Sequence, residues 1–147
     1  MHAVSRPGTA FYAICRRSAT ERNLPMWTPL CAWTLAATFP STAALPGLDR
    51  IDPRPFVDQL RRESPVAIRF VMVLSALVFL ATPVLTIGIP LPAAWLSPAR
   101  LDQHAQALAT HRIYLLRQAM LMIKTLGGLC WGADPAVRAA LAKDGAS

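Results

Sequence analysis

Between Phe70 and Leu96 the chain reads FVMVLSALVFLATPVLTIGIPLPAAWL, with no charged residue. The run exceeds the roughly 20 apolar residues that carry a helix across a bilayer. Pro83, Pro90 and Pro92 interrupt it, with Gly88 between them. Proline removes a helical amide and disfavours helix at the residue before it, so the uninterrupted helix predicted here runs from Val66 to about Thr82. Its length is at the short limit for a span, and Arg69 lies inside it. Three placements stay open on the pattern alone: a buried helix followed by an apolar loop that dips into a membrane, a single span over about 66–90, or a helix covered by a larger subunit. The membrane-facing candidates are Phe70, Leu77, Phe79, Leu85 and Ile89.

Elsewhere apolar residues recur at helical spacing. Leu101, Ala105, Leu108, Leu115, Ala119 and Ile123 predict one long helix from Pro98 to about Leu126. Leu116, Met120, Leu121 and Met122 widen its apolar face, as a helix does when it enters a core or meets a partner. A shorter helix is predicted over 53–62, with Phe56 and Leu60 inward and an i,i+4 pair of Asp58 and Arg62 facing water. Thr28-Pro29, Asp52-Pro53, Ser64-Pro65, Ser97-Pro98 and Asp134-Pro135 repeat one helix-start device, a small polar cap followed by proline in the first turn. Where GLCWGADPAVRAAL, residues 128–141, begins, Gly127 just before it and Gly128 are expected to end or bend the long helix. Trp131 then adds apolar bulk, Gly132 a turn, and Asp134 starts the last helix.

The pattern predicts an all-α domain of about five helices over residues 28–142, with an apolar, proline-interrupted segment facing membrane or partner. A flexible basic arm, 1–27, precedes it and a short tail, 143–147, follows. Arg16 and Arg17 ahead of MWTPLCAWTLAATFP superficially resemble a twin-arginine export signal. The intervening SATERN is a poor start to such a signal, and Pro29 and Pro40 bracket what reads equally well as a first folded helix.

Composition narrows the function classes. With 147 residues there is room for one modest core, not for a cofactor domain beside a substrate domain. Hydrophobic residues make up 54% and charged residues only 16%, well below an ordinary soluble domain, so some apolar surface is expected to be covered from outside. The net charge of +7 comes from basic residues scattered along the chain. They form no stripe interleaved with aromatics, and no nucleic-acid motif appears. Anionic lipid or an acidic protein fits that charge better.

No catalytic signature is present. Cys15, Cys31 and Cys130 are too dispersed for a metal set, and their odd number argues for at least one free buried thiol. His104 and His111 lie seven apart with no acidic partners in chelating positions, and read as one solvated or interface-facing polar edge. Glycine-rich phosphate loops, a serine nucleophile elbow, HExxH and CxxC are all missing from the sequence. The chain is expected to bind no cofactor and to catalyse nothing alone.

The order of motifs adds one resemblance. LAATFPSTAALPGLD, the Phe56–Leu60 helix, LSPARLDQHAQALATHRIYLLRQAMLMIKTL and CWGADPAVRAAL, spread over about residues 30–142, resemble the helical segment before the flavin domain in long-chain alcohol oxidases and dehydrogenases of the glucose–methanol–choline family. They also look like a free-standing small subunit of bacterial dehydrogenases of that family. The shared features are the ATFP step at Ala37–Pro40, the cap at Leu96 and Ser97, the Leu116-Arg117 pair, and the junction from Trp131 to Pro135. The resemblance implies a non-catalytic accessory subunit that stabilises a separate FAD-containing alcohol or sugar dehydrogenase and docks it at the bacterial cytoplasmic membrane. That large subunit would pass electrons to a quinone or cytochrome. Partner-interface candidates are Trp131, Arg117, Leu116, Met120 and Trp95.

Overall fold

The computed structural model describes residues 27–41 and 46–144; the basic arm, with Cys15, Arg16 and Arg17, lies outside the described residues. The described chain is all-α. Its helices are α1 (Trp27–Thr38), α2 (Arg54–Glu63), α3 (Val66–Ala81), α4 (Pro83–Thr86), α5 (Pro98–Ala109), α6 (Tyr114–Ala133) and α7 (Pro135–Asp144), with a 3-10 turn at Ala93–Trp95. Among the described residues there are thus two more helices than the five expected, because both long apolar segments divide.

α1 is apolar all round and sits at the centre, buried from Thr28 to Leu35 and packed on α2, α3, α5 and α6. A helix with no polar face is stable only when neighbours surround it. The most extensive packing is between α3 and α6. There Met72, Ala76 and Phe79 of α3 join Met120, Ile123 and Leu126 of α6 and Cys31 and Leu35 of α1 in one core. The void among these three helices is about 10 Å³, at the lower limit for a single water.

The sequence places the end of α3 correctly. Thr82 closes it, donating its amide and its hydroxyl to the Val78 carbonyl at 3.1 and 2.7 Å. With 16 residues rising 1.5 Å each, α3 is about 24 Å long, short of the roughly 30 Å hydrocarbon layer. No described helix is long and apolar enough to cross a membrane. That finding counts against the membrane-associated placement at the bacterial cytoplasmic membrane and removes the single span over 66–90.

Two further expectations give way. The helix from Pro98 to Leu126 is two helices, parted at Thr110–Ile113, where the Ile113 amide donates to Nδ1 of His111 at 3.1 Å in place of a helical carbonyl. The break resets the helical phase, so Leu115, expected on the packing face, is 74% exposed. The glycines do not end α6; it runs through all three to Ala133. At Gly127 a side chain would collide with the Phe39 ring, so the missing Cβ is what lets the α1 end close on α6.

The capping device is real at Asp134, whose Oδ1 accepts the amides of Ala136 at 2.8 Å and Val137 at 3.3 Å. Asp52 accepts the Arg54 amide at 3.0 Å. Ser97 and Ser64 make no side-chain cap bond, and Thr28 lies within α1. Asp58 pairs with Arg62 at 2.7 Å, as its spacing predicts, and also with Arg61 at 2.8 Å.

Candidate interaction surfaces and a buried histidine

Going round α3 at about 100° per residue, Met72, Ser75, Ala76 and Phe79 fall on the inward side, while Val66, Phe70, Leu74 and Leu77 fall on the outward side. Every exposed residue of α3 is apolar. The outward face continues past Pro83 to Val84, Leu85 and Leu91. Where α3 ends, Leu80, Ala81, Val84, Pro90, Leu91 and Pro92 line an open groove of about 380 Å³. A second uncovered cluster stands at the α5–α6 corner, where Ile113, Tyr114 and Leu115 are consecutive and exposed. The Arg117 guanidinium lies 5.5 Å from the Tyr114 ring centroid, a cation–π geometry, and exposed Arg112 is adjacent in sequence.

The membrane-facing candidates divide accordingly. Phe70, Leu77 and Leu85 are exposed, at 66%, 46% and 63%. Ile89 is half-buried against the core, and Phe79 is completely buried. Phe79 fails as a surface residue because, seven residues after Met72 and four after Ser75, it shares their inward side.

The partner-interface candidates divide too. Trp95 and Arg117 are exposed, Leu116 is half-buried against the core, and Met120 is completely enclosed. Trp131 is half-buried, and its indole Nε1–H donates to the Pro46 carbonyl at 2.7 Å. It therefore holds the loop before α2 onto α6, while its partly exposed ring leaves limited area for a partner. In that loop Gly47 passes so close to the backbone of Phe39–Ser41 that no side chain fits, and its amide donates to the Ser41 hydroxyl at 2.9 Å.

His104, expected on a solvated edge, is completely buried. Its place follows from Pro83. The carbonyl of Phe79 would ordinarily accept the amide four residues on, but Pro83 has none to give. His104 Nε2 lies 2.9 Å from that carbonyl and Nδ1 lies 2.5 Å from the Thr86 hydroxyl. A carbonyl only accepts, so Nε2 carries the proton and the neutral ring accepts from Thr86 through Nδ1. The ring also packs on Phe79, with centroids 4.9 Å apart. Burial pushes the imidazole below its ordinary 6.5, against the bond to Phe79, which favours the charged form. His104 is a structural donor that repairs a proline break; the break four residues after Phe79 was the available sequence signal for such a donor.

The two described thiols are inert. Burial pushes Cys31 up to about 12, and burial together with Asp134 and Asp52 pushes Cys130 up to about 11. The nucleophilic thiolate is thus suppressed at both. Among the described residues no three His, Cys, Asp or Glu side chains gather where a metal ion could be held.

No family model, curated protein or solved structure matches this chain.

Proposed function

We propose that the chain is a non-catalytic interaction subunit that docks on a larger protein through the α5–α6 corner. The observation that carries the reading is the run Ile113-Tyr114-Leu115, three consecutive large apolar side chains left outside the fold with Arg117 stacked on the central ring. Aromatic and arginine side chains grouped in this way are the residue types that anchor protein interfaces. The basic balance of the chain favours a partner with an acidic docking face.

The identity of the partner rests on the order of motifs described above: a separate FAD-containing dehydrogenase of the glucose–methanol–choline family. That enzyme would remove hydride from an alcohol or sugar and pass the electrons to a quinone or cytochrome. The small subunit contributes stability to the assembly and no group to the chemistry. Arg117 and Leu116 belong to the docking helix, with Leu116 steadying the corner from its inner side.

Affinity purification of the chain from its own cells tests the reading. A flavoprotein should elute with it in fixed ratio, visible by flavin absorbance, and Leu115→Glu should abolish that recovery while the small chain stays folded. Elution without flavin, or flavoprotein recovery that Leu115→Glu leaves unchanged, overturns it.

A further inference from the structure

A second surface, separate from the α5–α6 corner, carries its own partner chemistry. We propose that two copies of the chain pair through α3, antiparallel about a twofold axis between Leu74 and Leu77, with Phe70 of each copy seated in the other's groove beside Ala81.

Three observations lead there. The first is extent: Val66, Phe70, Leu74 and Leu77 on α3 and Val84 and Leu85 beyond it are each between 46% and 70% exposed and form one continuous apolar face, the kind of patch that marks an interaction site. The second is shape. Phe70 stands 66% exposed near the start of α3, and the open groove lies at its end, around Leu80, Ala81 and Val84. Phe70 and Ala81 are eleven residues apart, about 16 Å along the axis. A twofold axis midway between them sets the large ring against the small residue twice over, as a self-complementary interface requires. The same register puts Leu74 against Leu77 and Val66 against Leu85, all of them exposed.

The third observation is charge, which fixes the direction. Arg69 lies in the first turn of α3 and from Phe70 to Ala99 no charge follows, while Arg61 and Arg62 at the end of α2 are both paired with Asp58. Parallel pairing would set Arg69 beside its own copy; antiparallel pairing sets it against the uncharged end of the facing helix. It also brings half-buried Arg69, whose Nε has no acceptor among the described residues, to the C-terminal turn of the facing helix, where the carbonyls carry partial negative charge.

Sedimentation of the purified full chain at micromolar concentration should give a particle of twice the 16.0 kDa chain mass. Phe70→Glu should weaken the dimer by about tenfold or more in dissociation constant, with helix content unchanged by circular dichroism. The register is read by disulfide formation in a Cys15→Ser background. Chains carrying Phe70→Cys and chains carrying Ala81→Cys should cross-link when mixed, and neither should do so alone, since only facing positions reach disulfide geometry. A monomeric wild type, a dimer that survives Phe70→Glu, or cross-linking of Phe70→Cys with itself but not with Ala81→Cys overturns the proposal.

Discussion

The two sides of α3 both carry large apolar side chains and are opposite in circumstance. Phe79 and Phe70 sit on one helix, nine residues apart; the first is sealed among α1, α5 and α6, with Trp33 and His104 against its ring, and the second stands in solvent. Hydrophobicity fixes neither role. The inward side holds Ser75 and the small Ala76 where helices approach closely, whereas the outward side carries bulk that nothing in the described fold covers. A helix that is apolar all round but packed on one side asks for a second body, and the same pattern without the packing would read as a membrane span.

The largest expected effect separates the two sides directly. Phe79→Ala should destabilise the fold by about 3–5 kcal/mol through the cavity it leaves. Phe70→Ala should change monomer stability by less than about 0.5 kcal/mol, being a surface truncation. Urea unfolding in dilute solution measures both, and a comparable loss for Phe70→Ala would erase the distinction.

Next in size is the donor behind Phe79. His104→Leu leaves the Phe79 carbonyl unsatisfied in the core and should cost about 2–3 kcal/mol. The histidine also sets a pH window. Its folded value lies below the ordinary 6.5, so the unfolded chain takes up the proton first. Its contribution is therefore complete above about 6.5 and is lost as pH falls through the folded value. Stability measured from pH 8 downward should decline in the wild type and lose that component in His104→Leu.

The smallest effects repeat the comparison on α6. Gly127→Ala, facing Phe39, should destabilise by about 1–3 kcal/mol through overpacking. Gly128→Ala, with open space where its Cβ would stand, should stabilise by about 0.5–1 kcal/mol through helix propensity. Thermal unfolding of the two single variants gives the sign of each.

Much of the fold was legible because it follows from local chemistry. The end of α3 before Pro83, the helix over Arg54–Glu63 with its Asp58–Arg62 pair, and the Asp134 start of α7 all depend on residues close in sequence. The α5–α6 break was not legible, since Pro98–Leu126 contains neither proline nor glycine after its first turn and the interruption is made by the side chain of His111. Gly127, Gly128 and Gly132 misled in the opposite direction: glycine permits a turn but does not compel one, and packing on Phe39 keeps Gly127 helical. The surface was half legible. Phe70, Leu77, Leu85, Trp95 and Arg117, candidates for a membrane or partner face, are exposed, whereas Phe79 and Met120 need the rotational phase of helices whose neighbours only the fold supplies.

The central claim is that the outward face of α3 is an interface and the inward face a core. The dependence of the urea midpoint on protein concentration tests it most directly, because association linked to the folded state raises apparent stability by mass action. The midpoint should climb with wild-type concentration and stay level in Phe70→Glu. A wild-type midpoint independent of concentration would contradict it.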